Sequence, residues 1–213
     1  MDELRTATVV GGGIAGLASA VSLVQAGWQA TVLERAPEFG EVGAGLAITG
    51  NGMTALDALG AGQAVRAAGY QTSTAGYQDP DGRWLMRIPD VPGLRKVTTI
   101  WGLHRQRLHA AVLEAAKAAD GVELVNGAEV VKVQPGQVGG GPARVIWQNG
   151  VEGRSRTSDL VVAADGVHST VRGQLFPGAP ARYSGSTWPP PGTASPAGHR
   201  RSGPSWPPPR RTG

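Results

Sequence analysis

The sequence contains no cysteine, few aromatic residues and no charge excess outside its last residues. The lack of cysteine excludes disulfides, cysteine-ligated zinc and iron–sulfur clusters, and it suits a reducing cytoplasm. The net charge of +4 comes from Arg200, Arg201, Arg210 and Arg211, because the other sixteen basic residues are matched by sixteen acidic ones. The neutral body therefore gives no signal for binding nucleic acid.

Long hydrophobic runs are also missing. The longest apolar stretch, from Thr8 to Val24, is interrupted by four glycines, lacks a basic leader and is followed by Gln-Ala-Gly. This pattern favours neither a signal peptide nor a membrane-spanning helix. We therefore expect a cytoplasmic protein without a membrane partner.

What the sequence does contain is a strand–turn–helix–strand unit within its first 33 residues. Thr6–Val10 reads as a strand rich in β-branched residues, Ile14–Gln25 as a buried helix ended by Gly27, and Ala30–Leu33 as a second strand. Because the unit is so short, the two strands are predicted to be parallel, with a right-handed crossover. The fold class is therefore α/β.

The remaining elements are predicted less sharply. Asp79-Pro80-Asp81-Gly82 is a turn signal within a region of short strands, from Gly76 to Ile100, that is typical of an antiparallel sheet. The other predictions are a glycine-rich loop (Glu38–Gly52), helices at Met53–Ala68, Arg105–Ala119 and His168–Leu175, and strands at Val122–Val125, Val130–Val133, Arg144–Gln148 and Leu160–Ala164.

The turn after the first strand reads Gly11-x-Gly13-x-x-Gly16. Gly11 permits a tight turn, Gly13 leaves room for a pyrophosphate, and Gly16 lets the helix pack closely on the strand. The helix N-terminus then presents unpaired N–H groups to the phosphates. This pattern predicts a dinucleotide site, although a glycine-rich turn without a ligand would look the same.

Glu34 follows the second strand, where a carboxylate can accept hydrogen bonds from the ribose hydroxyls of an adenosine. The same carboxylate would repel a 2′-phosphate, so NADP is not expected at this site. The motif alone leaves FAD and NAD open, since both contain an ADP half.

Three later stretches resemble one family. The stretches VLERAPEFGEVGAGLAITGNGMTALDALG, WGLHRQRLHAAVLEAA and DLVVAADGVHSTVR are similar to segments of the FAD-dependent aromatic-ring monooxygenases of the para-hydroxybenzoate and salicylate hydroxylase type. The resemblance runs from about Thr6 to Thr187. It implies an FAD-binding, Rossmann-like βαβ domain of the glutathione-reductase type, with an inserted and incomplete antiparallel-sheet substrate domain. Residues 1–75 and 104–187 would form the two parts of the FAD-binding domain, and residues 76–103 part of the substrate sheet.

The resemblance also implies roles for individual residues. The pyrophosphate would be held by Gly11, Gly13, Ile14, Ala15 and Gly16. The adenosine would meet Glu34 at the ribose, with Arg35 and Val130 on the adenine side. Ala44 and Gly45 would lie beside the ribityl chain and flavin, Arg105 would reach a phosphate or the ribityl region, and Asp165 with Gly166 would serve both FAD and transient NADH or NADPH.

Some of these residues have simpler interpretations that the sequence leaves open. Asp165 could cap the following helix, which is compatible with ligand binding. Arg105 could be a solvated residue, although a cation in the first turn of a helix favours an anionic partner. His104, His109 and His168 form no metal-like group and are read as surface or helix-boundary residues. Trp84 and Trp101 are expected to pack in the second region's sheet, with a role in lining an aromatic-substrate pocket as the alternative.

The reaction implied by the resemblance is hydroxylation of a small aromatic substrate. NADH or NADPH reduces FAD, and reduced flavin with dioxygen gives the C4a-hydroperoxide that transfers one oxygen atom. No catalytic base can be named from the sequence. Two alternatives remain: an NAD-dependent Rossmann oxidoreductase, and a non-catalytic binding module that uses the end of the chain.

Residues 188–213 differ from everything before them. Eight of these 26 residues are proline and none is acidic, a composition that cannot build a central strand or a core. We expect a disordered tail that arose by a frameshift, which reading the other two frames of the DNA would test; a polyproline II ligand around Trp206–Arg211 is the alternative. Because no Gly-Asp dipeptide occurs, the family's later Gly-Asp-Ala-x-His segment is missing. We therefore expect an N-terminal portion with little or no activity.

Overall fold

The computed structural model describes residues 4–40, 43–73, 75–137 and 140–178. Predictions made for residues 188–213 lie outside these ranges. In chain order the elements are β1 (Thr6–Val10), α1 (Ile14–Gln25), β2 (Gln29–Leu33), β3 (Gly45–Thr49), α2 (Gly50–Ala58), α3 (Gly62–Ala68), β4 (Tyr70–Ser73), β5 (Gly76–Gln78), β6 (Trp84–Arg87), α4 (Pro92–Thr98), β7 (Thr99–His104), α5 (Arg105–Ala118), β8 (Val122–Val125), β9 (Glu129–Gln134), β10 (Ala143–Asn149), β11 (Glu152–Ser158), β12 (Leu160–Ala163) and α6 (Thr170–Leu175).

A four-stranded parallel sheet in the order β12-β1-β2-β8 carries the glycine-rich turn. Its two central strands, β1 and β2, are rich in Val and Ala and are buried on both faces, as expected of a parallel sheet. Val9 and Val32 point to the face covered by α1, and the alternate residues Val10 and Leu33 point to the face covered by β9 and β10. Because successive side chains of a strand point to opposite faces, β1 and β2 contribute to the core on each face of the sheet.

The first βαβ unit has the predicted bounds except that β2 begins one residue earlier, at Gln29 instead of Ala30. α1 covers Ile14–Gln25 as predicted, β1 and β2 pair in parallel, and Gly27 follows the helix with φ +80°. Only glycine adopts that left-handed conformation without strain, which is why the helix ends there.

Three predictions about the second region need correction. The helix predicted at Met53–Ala68 is two helices, α2 and α3, because Gly60 with φ +79° interrupts it. The predicted loop Glu38–Gly52 contains strand β3, which pairs antiparallel with β7. The region predicted as short strands, Gly76–Ile100, contains the helix α4, and the strands β4 and β11 were not predicted at all.

The antiparallel part consists of the sheet β3-β7-β4 and the hairpin β5–β6. The predicted turn closes that hairpin, since Asp79 Oδ1 accepts hydrogen bonds from the N–H groups of Asp81 (3.1 Å) and Arg83 (2.8 Å). Trp101 packs against the core below α5, whereas Trp84 is exposed and lies 5.6 Å from the Arg87 guanidinium. Trp84 therefore does not pack as predicted. The boundaries between the FAD-binding segments and the substrate segment, at residues 75 and 103, stay predictions.

A second antiparallel sheet, β11-β10-β9, covers the other face of the parallel sheet. The side-chain amide of Gln174 on α6 hydrogen-bonds the backbone of β9, as a neighbouring strand would: it accepts from Val133 N–H (3.0 Å) and donates to the Val131 carbonyl (2.7 Å). In the ranges described here, no helix is long and apolar enough to cross a membrane.

Candidate cofactor site

A cavity of about 560 Å³ opens where β1, β2 and β12 end. Ligands of open α/β sheets bind at this carboxyl edge, at the point where neighbouring connections leave in opposite directions. β1 is that point here, because its two neighbours are β2 and β12. The lining residues are Val10, Gly11, Gly13, Ile14, Ala15, Ala18, Leu33, Glu34, Arg35, Gly40, Arg105, Ala128, Glu129, Val130, Ala164, Asp165, Gly166, His168 and Thr170.

The glycine-rich turn is packed so tightly that a side chain at Gly11 or Gly16 would overlap backbone atoms. Gly11 has φ +104°, and a Cβ atom there would overlap the carbonyl of Ala164 at the end of β12. A Cβ atom at Gly16 would overlap the Gly11 carbonyl and lie 3.3 Å from Val9 Cγ1. The turn therefore passes close to β12 while α1 presses directly on β1.

The N-terminus of α1 is open towards the cavity. Gly13 precedes the helix without a side-chain cap, and the first turn of the helix contains no acidic residue. Unpaired N–H groups and the positive end of the helix dipole therefore lie beside Gly13, Ile14 and Ala15, all of which line the cavity. Such a helix end attracts a phosphate.

Glu34 is held in place by the turn itself. Its Oε2 accepts a hydrogen bond from Gly12 N–H at 2.6 Å, and its Oε1 accepts one from Ala36 N–H at 2.9 Å. A carboxylate has about four acceptor positions, so each oxygen keeps capacity for one more donor. Because Glu34 also lines the cavity, a ligand hydroxyl can use that capacity.

Asp165 and Gly166 form the opposite wall. Ala164 N–H continues the β12 pairing by donating to the Val10 carbonyl at 2.8 Å, which brings Asp165 beside the turn. Asp165 Oδ2 accepts from Val171 N–H at 3.1 Å, while Ser169 caps α6 by accepting from Arg172 N–H at 2.9 Å. The capping role considered for Asp165 is thus present, together with its position at the cavity.

Arg105 enters the cavity from the first residue of α5. Its backbone N–H donates to the Ala44 carbonyl at 3.2 Å, which ties the start of α5 to the segment before β3. A Cβ atom at Gly43 would lie 2.7 Å from the Arg105 Cβ, so the two segments are in close contact. The arrangement places Arg105 in the lining of the cavity that the N-terminus of α1 also lines.

The structure brings most of the predicted site residues to one cavity. Gly16 lies behind the turn, and Ala44 and Gly45 lie outside the lining, so these three do not face the space directly. Val130 lines it from β9. That any of these residues contacts FAD stays a prediction.

The histidines were interpreted incorrectly in part. His109 was expected at a surface or helix boundary, but it is 2% exposed in the middle of α5, and its Nε2 lies 2.8 Å from the Gly12 carbonyl oxygen. The hydrophobic pattern of α5 could not show this, because the hydrogen-bond partner of His109 is 97 residues away in the chain.

His168 and Thr170 line the cavity and were not among the candidate site residues. In the residues that the structure describes, no group of three or more His, Asp or Glu side chains could hold a metal.

A parallel sheet with a glycine-rich turn, an uncapped helix and an acidic residue at its carboxyl edge defines a dinucleotide-binding α/β protein. Residues 4–184 match the FAD binding domain family, and the chain belongs to that family.

Curated relatives support the same grouping. The chain is 40% identical over 168 residues to a probable 2-heptyl-3-hydroxy-4(1H)-quinolone synthase of Rhodococcus erythropolis, covering 79% of this chain and 41% of that protein. It is 36% identical over 180 residues to a 3-hydroxybenzoate 6-hydroxylase of Polaromonas naphthalenivorans, covering 83% and 43%. The chain thus spans less than half the length of these relatives.

Solved structures agree with the fold. A crystal structure of 2-methyl-3-hydroxypyridine-5-carboxylic acid oxygenase superposes with a TM-score of 0.66 and 30% identity, over 81% of this chain and 42% of that one. A p-nitrophenol 4-monooxygenase of Pseudomonas putida gives a TM-score of 0.71 at 21% identity, over 83% and 44%, which shows the fold alone.

Proposed function

We propose that this chain binds FAD in the cavity at the end of β1 and serves a flavin-dependent monooxygenase that hydroxylates a small aromatic substrate, with NADH or NADPH as reductant. The observation that carries the proposal is the convergence of Glu34, the uncapped start of α1 and Asp165 on one cavity. An aromatic substrate is supported by the relatives, which include 3-hydroxybenzoate 6-hydroxylases from two further bacteria. The use of NADH or NADPH favours a cytoplasmic location.

The residues present fit FAD. Gly11, Gly13, Ile14 and Ala15 leave room for a diphosphate at the start of α1, and Glu34 has acceptor capacity for ribose hydroxyls. In this proposal Arg35 and Val130 flank the adenine, Arg105 neutralises phosphate charge, and Ala44 and Gly45 lie near the flavin. Bound FAD would supply the redox and oxygen chemistry.

The protein's own contribution is to bind and orient. Asp165 is fixed by the Val171 N–H, so it can accept a hydrogen bond from a ligand hydroxyl without rearrangement. The division into FAD-binding segments (1–75 and 104–187) and a substrate segment (76–103) belongs to the same proposal. The cavity residues come from the first two of these segments.

The test is a titration of the purified chain with FAD, followed by flavin fluorescence and visible absorbance. FAD is expected to bind, ADP to compete with it, and FMN, which lacks the adenosine, to bind far more weakly. Tighter binding of NAD than of FAD would instead support the dehydrogenase alternative and contradict the proposal.

Glu34 offers a sharper variant. Glu34→Gln exchanges one acceptor oxygen for an NH₂ group and removes the charge, which should weaken FAD binding by about tenfold or more, because hydrogen bonds to charged groups contribute about 1.5–3 kcal/mol. Glu114→Gln is the matched control, since Glu114 lies on the exposed side of α5 and pairs with Lys117 at 2.8 Å. Equal affinities for the two variants would exclude a role for Glu34.

A further inference from the structure

The buried histidine of α5 has no place in the function described so far. His109 is 2% exposed, and its Nε2 lies 2.8 Å from the carbonyl oxygen of Gly12. A carbonyl oxygen can only accept a hydrogen bond, so Nε2 carries the proton and donates it. Gly12 is buried as well, so without His109 its carbonyl would lose this bond away from water.

The bond acts on a peptide group that the proposed diphosphate site uses. The Gly12 carbonyl and the Gly13 N–H belong to the same planar trans peptide and point in opposite directions. Holding the carbonyl towards α5 therefore directs the Gly13 N–H away from α5. Gly13 lines the cavity, and its own carbonyl accepts the first hydrogen bond of α1 from Leu17 N–H at 3.0 Å.

The same bond fixes α5 relative to the turn. Arg105 and His109 are four residues apart on one helix, so they lie on the same face, one turn from each other. The bond at His109 ties α5 to the turn, one helical turn away from Arg105, which lines the cavity. Packing of Leu17, Leu108 and Val112 between the two helices is apolar and has little directional preference of its own.

We propose that His109 is a positioning residue of the dinucleotide site: by donating a hydrogen bond to the Gly12 carbonyl it orients the Gly12–Gly13 peptide and places Arg105 for the same diphosphate. This inference rests on the proposed function. His109 itself does not line the cavity, so it acts through the turn and not by touching the ligand.

Two substitutions separate the hydrogen bond from the packing. In His109→Gln the terminal NH₂ is as many bonds from Cα as Nε2 is in histidine, so the donor is kept. His109→Met has nearly the same length and shape as glutamine but no donor. We expect the Gln variant to bind FAD within about threefold of the unaltered chain, and the Met variant to bind about tenfold more weakly, which corresponds to about 1.4 kcal/mol.

A purely structural role would give a different result. Both variants would then change the melting temperature of the chain without FAD, and the two variants would have the same FAD dissociation constant. Equal FAD affinities for the Gln and Met variants, whether retained or lost together, would overturn the proposal. Should the Met variant fail to fold, His109→Asn replaces it, because its amide is one bond too short to reach Gly12 and the same loss of affinity is expected.

A second readout does not depend on FAD. Glutamine and methionine both lack the aromatic ring of histidine, so the two variants are compared with each other: the amide resonances of Gly12, Gly13 and Ile14 in ¹⁵N-labelled chain are expected to differ between them. If the unaltered chain did not bind FAD, the proposed function would fail, while these resonances would still decide whether the hydrogen bond from residue 109 holds the turn. The same resonances in both variants would show that it does not.

Discussion

Gly16 and Gly173 both lie inside helices, yet the structure requires only the first to be glycine. A Cβ atom at Gly16 would overlap the Gly11 carbonyl, because α1 presses on the turn. Among the residues that the structure describes, none would lie within 4 Å of a Cβ atom at Gly173 in α6, and Gly173 is exposed. Gly16 is therefore needed for the close approach of α1 to the turn, whereas Gly173 only adds backbone freedom in the unfolded chain.

Substituting alanine at each position should have opposite effects. Gly16→Ala is expected to lower the free energy of unfolding by about 1–3 kcal/mol or more, as overpacking does, and to weaken FAD binding by displacing the turn. Gly173→Ala is expected to raise the free energy of unfolding by about 0.5–1 kcal/mol, because alanine has a higher helix propensity than glycine. Urea unfolding of both variants measures these changes. A Gly16→Ala variant as stable as the unaltered chain would mean that the turn and α1 are farther apart than described.

At the scale of elements, the pairing of β1 with β12 is fixed at its start by one carboxylate. Asp159 Oδ2 accepts hydrogen bonds from the Thr6 N–H at 2.8 Å and the Thr6 hydroxyl at 2.9 Å. Beside this carboxylate, the buried hydroxyls of Thr8 on β1 and Ser158 at the end of β11 are 2.7 Å apart. These bonds set the register in which Ala7 lies opposite Leu160, and that register brings Asp165 beside the glycine-rich turn.

The backbone and hydroxyl hydrogen bonds from Thr6 lower the pKa of Asp159 from its usual value of 3.8. A folded-state pKa below the unfolded one stabilises the protein above the unfolded pKa, and the contribution is lost as the pH falls through the folded value. Asp159→Asn should therefore lower the melting temperature at pH 7 and flatten its fall below about pH 4. Thermal unfolding between pH 7 and pH 2 tests this, with Glu114→Gln as control. The same pH profile in both variants would contradict it.

The elements differ in how far the sequence could predict them. β1, α1 and β2 are close in the chain and punctuated by glycines, so local patterns were sufficient. β3 was not predicted because the glycines in and around it resemble a loop and because its strand character comes from pairing with β7, more than fifty residues later. His109 escaped for the same reason, since its role depends on a carbonyl contributed by another element. Similarly, His168 and Thr170 reach the cavity only because β12 pairs with β1.

At the scale of the whole molecule, the cavity gathers segments that are far apart in the chain. Gly11, Glu34, Arg105 and Asp165 come from four different stretches, and the hairpin β5–β6 contributes none of the lining. A ligand that contacts all four stretches links them directly. The folded state should therefore gain stability when a ligand fills the cavity. The gain should be larger in the segments that line the cavity than in the hairpin β5–β6.

FAD is accordingly expected to raise the melting temperature with increasing concentration, because a ligand that binds only the folded state adds about 2.7 kcal/mol at a hundred times its dissociation constant. ADP should give part of the shift. Amide hydrogen exchange measured with and without FAD should slow in β1, α1 and β12, and stay unchanged in β5–β6, whose Leu85 is 71% exposed. Equal slowing in the hairpin would place the ligand elsewhere, since a site at the end of β1 protects most strongly the strands and helix that form it.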